Sequence, residues 1–243
     1  MHAVQRFPLP ALALALAGTL SIFATATAEE ITVVSTMESS MGKASASTST
    51  TYMGKNKLRT VEGDTEVMVD YTTGEMTFLD TKKKTYWTTS PAELEAKFAE
   101  LSQALEGMPM MDKIFGTAGE VEVTELGTTQ QVAGYTCRDY RISMGDAYVF
   151  ELCATRDLKP PADVHAARRL MFANMGPMAG KIGKLFDEMS KIEGLPLVSD
   201  FTMSLMGRTM TTETRATAVE VGPIPDERFA IPAGFKQKKS PFE

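Results

Sequence analysis

Between residues 31 and 89, short runs rich in Val, Thr, Tyr and Phe alternate with turn signals. These are Gly42-Lys43, Gly54-Lys55-Asn56, Gly63-Asp64, Thr73-Gly74 and Asp80-Thr81-Lys82. Regular spacing of this kind predicts an antiparallel meander of about six strands. Residues 44–52 are mostly Ser and Thr, which suit a solvated strand face better than a core, while their low complexity makes disorder the rival reading. The flanking strands favour order.

The period changes at Ser90-Pro91-Ala92-Glu93, where Ser fits an N-cap, Pro the first helical position and Glu93 the far end of a capping box. Leu94, Phe98, Leu101, Leu105 and Met108 follow at intervals of four, three, four and three, the signature of one buried helical stripe. Strand character returns over 120–132 and in the hairpin that carries both cysteines. A second helical block is predicted from about residue 162 to 192, with Pro160-Pro161 ahead and Gly194 behind. Its stripe is Met171, Met175, Met178, Ile182, Leu185, Met189 and Ile192, with a kink expected at Gly176-Pro177. Strands 197–206 and 209–221, joined at Gly207-Arg208, lead to the closing run Phe229-Ala230-Ile231-Pro232-Ala233-Gly234-Phe235. The order is that of an α+β domain. Two one-sided helices beside an antiparallel sheet bury their stripes most economically on the concave face of one curved sheet.

The first 28 residues stand apart from this pattern. A single cation, Arg6, precedes an apolar run over 11–23 and the small residues Ala26-Thr27-Ala28, an order that predicts a secretory signal peptide cleaved near Ala28. The run is shorter than the ~20 apolar residues of a spanning helix, and no cysteine at the cut offers a thiol for lipid attachment. Residues 29–243 then form a single domain, periplasmic or secreted, with no transmembrane anchor. Of the 25 basic and 31 acidic residues of the chain, only Arg6 lies in the leader, so the mature protein carries a net charge of −7. Nucleic acid is not an expected partner.

In an oxidising compartment two cysteines read as one disulfide, Cys137–Cys153. A three-residue loop Met144-Gly145-Asp146 would place Cys137 directly opposite Cys153, Tyr140 opposite Phe150 and Ile142 opposite Tyr148. The cysteines would share one face and the aromatic pairs the other. Closing so short a loop contributes roughly 3 kcal/mol in the chain-entropy model. A redox role would call for the closer Cys-x-x-Cys spacing.

Catalytic signatures are sparse. His165 is the only histidine after the leader, beside Arg168 and Arg169 at a predicted helix start, with no nearby serine or cysteine to pair with. No nucleophile elbow, zinc-binding helix motif, phosphate loop or dinucleotide fingerprint occurs. Glu120, Glu122 and Glu125 fit a solvated strand, and Asp70 and Asp80 fit turns. No cofactor and no enzymatic activity are expected.

Methionine is the compositional outlier, with 17 in the chain. Packed at helical spacing, these side chains read first as core; lining an adaptable apolar cavity is the second reading. Met108, Met110 and Met111 also offer thioethers to Cu(I). The basic runs Lys82-Lys83-Lys84 and 236–239 read as solvated.

The run Lys57-Leu58-Arg59, a turn, Val67-Met68-Val69-Asp70, then Met76-Thr77-Phe78-Leu79-Asp80 and Tyr86-Trp87 resembles the LolA-like group of bacterial periplasmic proteins, which includes domains of unknown function. The ending from Phe229 to Phe235 is similar to the close of those domains. The resemblance implies an incomplete antiparallel barrel whose concave face, lidded by helices, holds acyl chains of lipids or lipoproteins. The carriers' arginine ahead of a Pro-Asn turn has no counterpart in Tyr52-Met53-Gly54-Lys55-Asn56, so no functional residue is carried over. The expected function is non-enzymatic binding of a lipid or an acylated protein, with Phe98, Leu101, Leu105, Met171, Met175, Met178, Ile182, Leu185 and Met189 lining the cavity. The alternatives are an envelope protein-interaction module without a small ligand and copper binding through methionines.

Overall fold

The structure is a computed structural model that describes residues 29–40, 45–105, 120–145, 148–161, 184, 187–205 and 208–241. Six strands open the chain as predicted: β1 (Ile31–Ser39), β2 (Ser45–Met53), β3 (Lys57–Glu62), β4 (Thr65–Asp70), β5 (Met76–Asp80) and β6 (Thr85–Thr89). Helix α1 (Pro91–Leu105) follows. Strands β7 (Val121–Val132), β8 (Tyr135–Met144), β9 (Tyr148–Thr155), β10 (Leu195–Leu205) and β11 (Arg208–Val221) form the second group, and β12 (Lys236–Gln237) ends the chain. All twelve belong to one open, curved sheet in the order β12-β6-β5-β4-β3-β2-β1-β11-β10-β9-β8-β7. Every neighbouring pair is antiparallel except β12 with β6. The Ser/Thr-rich strand β2 lies in the middle of the sheet, paired on both sides.

Turn chemistry explains the meander. Asp70 accepts hydrogen bonds from the backbone of Thr72 (2.8 Å) and Thr73 (3.2 Å), and Asp80 from that of Lys83 (2.8 Å). Both carboxylates replace backbone acceptors that a tight turn leaves out of reach. At the start of α1, Glu93 accepts from the Ser90 backbone at 2.7 Å and Ser90 Oγ accepts from the Glu93 backbone at 3.3 Å. This is the expected capping box, and the Ser90 amide is the main reason the Glu93 carboxyl titrates below its usual value.

Successive residues of a strand point to opposite faces, so the register sorts the molecule into two surfaces. One continuous row on the inner, concave face runs Ile31, Met53, Leu58, Val69, Met76 and Thr89. Leu94, in the first turn of α1, joins the core cluster that contains Ile31, Met53, Val69 and Met76. On the same face of the other half lie Tyr140, Ile142, Leu152 and Ala154. Ile192 and the half-buried Met189, at the end of the second helical block, pack against them. The two helical segments therefore bear on one face, at opposite ends of it. Behind the second segment, Gly194 adopts φ +99°, and a Cβ there would stand 1.9 Å from the carbonyl oxygen of Thr155, so only glycine fits.

Cys137 and Cys153 are joined in a disulfide with Cα atoms 5.2 Å apart. The register around them differs from the expectation. Cys153 lies opposite Asp139, Leu152 opposite Tyr140 and Phe150 opposite Ile142, a slip of two residues, so the bridge is diagonal. Strand β8 runs through Met144, which the expectation placed in the loop, and β9 begins at Tyr148. A slip of two keeps every side chain on its face. The division into a cysteine face and an apolar face accordingly stands, and Ile142, fully buried, faces Phe150 in place of Tyr148.

The outer face of β2 to β6 is covered by the chain's own end. Residues 222–240 leave β11, pass a short 3-10 turn (Asp226–Phe229) and finish beside β6. Glu30 anchors the departure by accepting from the backbone of Ile224 at 2.7 Å. Arg59, 8% exposed, donates to the carbonyl oxygens of Arg228 and Ala230, and pairs with Glu66, also 8% exposed. The Arg228 guanidinium stands 5.4 Å over the Tyr52 ring. Phe229 fills the space where a Cβ on Gly54 would lie 2.7 Å from its ring. Leu79 and Met68 lie buried on this face.

Candidate ligand-binding face

The inner face carries two partly open aromatic pairs. On β5 and β6, Phe78 stacks on Trp87 with ring centres 4.1 Å apart and planes 9° from parallel. On β9 and β10, Phe150 meets Phe201 at 4.5 Å and 30°. All four side chains are half-buried. The register puts both pairs on the same side: Phe78 and Trp87 belong to the row that passes through Val67, Thr60, Thr51 and Val33, and Phe201 to the row through Thr212 and Ser39. Apolar area held at that level of exposure on a concave surface is what a ligand of matching polarity would cover.

Between the aromatic pairs the floor is made of hydroxyls. Ser39 and Thr212 share a hydrogen bond of 3.0 Å, Thr51 and Thr60 one of 3.3 Å, and Ser47 donates to Glu62 at 2.7 Å. Cross-strand pairing satisfies these groups without water, which lowers the cost of covering them. The composition of β2 that reads as a solvated strand thus serves a half-buried floor. Tyr148 lies on the same face opposite Met203, and burial pushes its phenol above the usual value.

The expected lining residues are only partly within view. Phe98, Leu101 and Leu105 fall on α1, their side chains outside the description. Met189 is half-buried against the inner face. Met171, Met175, Met178, Ile182 and Leu185 lie outside the described residues, as do Met108, Met110 and Met111 of the copper reading and His165. Among the described residues no group of three His, Cys, Asp or Glu side chains is arranged to hold a metal ion, and no helix is long and apolar enough to cross a membrane.

A second feature was hidden from sequence reasoning because it is assembled from four distant strands. On the outer face, opposite the aromatic pairs, the register aligns Glu151, Asp200, Glu213 and Glu38 on β9, β10, β11 and β1. Glu38, Asp200 and Glu213 border a groove of about 690 Å³ together with Ser40, Thr202 and Thr211, and Ser39, Phe201 and Thr212 of the inner face border it too. Burial, then the charges of Glu213 and Glu151, raise the Asp200 carboxyl above its ordinary value, and Arg215 opposes them. Asp200 Oδ1 is buried without a hydrogen-bond partner. Arg141 neutralises Glu151 at 2.9 Å, and Arg215 donates to Gln130 at 3.0 Å. The groove offers carboxylates and hydroxyls, and among the described residues no histidine or free thiol completes a nucleophile–base pair.

Fold and surfaces together define an open antiparallel-sheet protein with an amphipathic concave face bracketed by helices. Residues 32–235 match the model of DUF4412, a domain of unknown function, and the chain belongs to that family. No curated protein matches. Among solved structures, an uncharacterised conserved protein from Thermus thermophilus is similar with a TM-score of 0.47 at 6% identity, over 87% of this chain and 90% of that one. A LolA superfamily protein from Nitrosomonas europaea is similar at 0.34 and 7%, over 83% and 90%. PNGF-II is similar at 0.42 and 10%, over 88% of this chain but 31% of that one, so the chain spans about a third of that structure. Likenesses this loose carry no argument about function.

Proposed function

We propose that the protein is exported and holds an apolar ligand, a lipid or an acyl chain, between its inner face and its helical segments, without catalysing a reaction. The observation that carries this reading is the pair of aromatic contacts, Phe78 with Trp87 and Phe150 with Phe201, left half-exposed on one concave surface. A side chain of that size stabilises the fold by about 1.5–3 kcal/mol when fully covered, so leaving four of them partly open favours a ligand that completes the burial. Export is supported by the leader over residues 1–28 and by the Cys137–Cys153 bond, which persists in an oxidising compartment.

Organic extracts of protein purified without detergent should yield lipid by mass spectrometry, and a fluorescent fatty acid should titrate the emptied protein. Phe201→Glu places a charge on the half-buried floor and should weaken that titration at least about tenfold, and Phe201→Leu, which keeps the floor apolar, should retain most of it at a similar unfolding midpoint. Protein that repeatedly comes out empty and ignores the probe would overturn the reading.

A further inference from the structure

The two lysine runs that look like unrelated solvated segments in the sequence are brought together by the fold. Lys82, Lys83 and Lys84 form the turn between β5 and β6, and the terminal strap returns to that turn. Strand β12 pairs with β6 in parallel, Lys236 aligned with Thr85. The backbone N–H of Lys236 donates to the Lys84 carbonyl at 3.0 Å, and that of Lys238 to the Tyr86 carbonyl at 2.7 Å. Lys82, Lys83, Lys84, Lys236, Lys238 and Lys239 are all exposed, so six lysines converge on one edge of the sheet in a chain whose formal net charge is −6.

The acidic groups at this edge are few. Asp80 pairs with Lys83 at 2.6 Å and also feels the charge of Lys238. Asp64 reaches the turn through its backbone, accepting from Thr81 at 2.9 Å. Among the described residues these two carboxylates leave a net positive edge, and screening over a Debye length of about 8 Å lets the edge act separately from the distant acid row.

From this convergence we infer that the lysine edge is a docking surface for an anionic phospholipid bilayer. Ammonium groups on flexible stems are point charges suited to a laterally mobile field of headgroups, whereas recognition of one phosphate in fixed geometry draws on the planar fork of arginine, and the turn 81–84 and the strap residues 235–240 carry none. The inference deepens the lipid-binding reading by giving the ligand a source, and rests on it for that purpose alone.

Sedimentation of the mature chain with vesicles tests it. Vesicles with about one part in three phosphatidylglycerol should retain the protein, pure phosphatidylcholine should not, and binding should fall steeply between about 0.05 and 0.5 M salt. Lys82→Gln, Lys236→Gln and Lys238→Gln combined should lower partitioning at least about tenfold. The control Lys57→Gln, Lys97→Gln and Lys191→Gln changes net charge equally and should retain most of it. Equal binding to both vesicle types, undiminished binding of the first triple variant with its unfolding midpoint unchanged, or equal loss in the control would each overturn the docking surface. Retention by a soluble polyanion such as heparin without retention by anionic vesicles would also overturn it. Fatty-acid titration of the same variants keeps the two readings apart: docking that persists in a protein unable to bind the probe removes the ligand reading alone, and intact titration with no docking removes this one alone.

Discussion

The two halves of the sheet share an inner face but are held by different means. In the first, β1 to β6, the outer face is roofed by the strap of residues 222–240, and the roof is fastened by a buried ion pair, Arg59 with Glu66. In the second, β7 to β11, the outer face is divided: Arg141, Glu151 and Glu213 are exposed, whereas Val132, Val198 and the Cys137–Cys153 bridge that joins β8 to β9 are buried. A strand pair covered on both faces draws on burial. In the second half the disulfide adds to the burial around it by limiting the unfolded ensemble.

The contrast breaks most visibly at Arg59. Arg59→Ala leaves Glu66 buried without its partner and two strap carbonyls without their donor, and should destabilise the protein by about 3–5 kcal/mol in urea unfolding. Arg59→Met with Glu66→Leu should recover most of that, because neither charge is then buried alone; the remaining deficit, about 1 kcal/mol per carbonyl, measures the fastening of the strap. A double variant as unstable as Arg59→Ala would mean that the ion pair itself, rather than the stranded carboxylate, carries the stability.

In the second half the corresponding test is reduction. With 16 residues separating the cysteines, opening the bridge should cost about 3 kcal/mol, read as a lower unfolding midpoint with reductant and in the variant combining Cys137→Ala with Cys153→Ala. Reductant should leave that variant unchanged. A wild-type midpoint insensitive to reductant would show that packing of Val132, Leu195 and Val198 around the bridge suffices by itself.

Much of this architecture was legible locally. The capping box at Ser90 and Glu93, the turns at Asp70 and Asp80 and the six-strand meander follow from chemistry within a few residues, and the structure shows each. The α+β class followed from the change of period. Register was less legible: the cysteine hairpin slipped by two because matching on a face with period two is satisfied equally by either alignment. The three surfaces assembled across the sheet were the least legible. The hydroxyl floor, the acid row and the lysine edge each bring in at least one strand far away in the chain, such as β1 beside β11 or β12 beside β6, and Ser39, Asp200 or Lys236 has no local signal that announces those neighbours. Arg59 stands in the motif on which the LolA-like resemblance rests, but its partners, Arg228 and Ala230, lie almost at the other end of the chain.

The smallest effect separates the halves by charge. Folding raises the Asp200 carboxyl above its ordinary value, through burial first and then through Glu213 and Glu151, so the native state holds this proton more tightly than the unfolded chain. Stability from this group is therefore greatest below the unfolded carboxylate value and declines as pH rises through the raised native one. Arg215 and solvent moderate the penalty, and Asp200→Asn should stabilise the protein at neutral pH by less than about 1 kcal/mol. It should also flatten the decline in stability that wild type shows over that window. Asp80 gives the opposite control. Its hydrogen bond from Lys83 lowers its value, so its contribution is lost as pH falls, and Asp80→Asn should remove a loss of stability on the acid side. If Asp200→Asn leaves the pH profile unchanged, the aligned carboxylates do not repel strongly enough to matter, and the second half is held by its bridge and the packing around it.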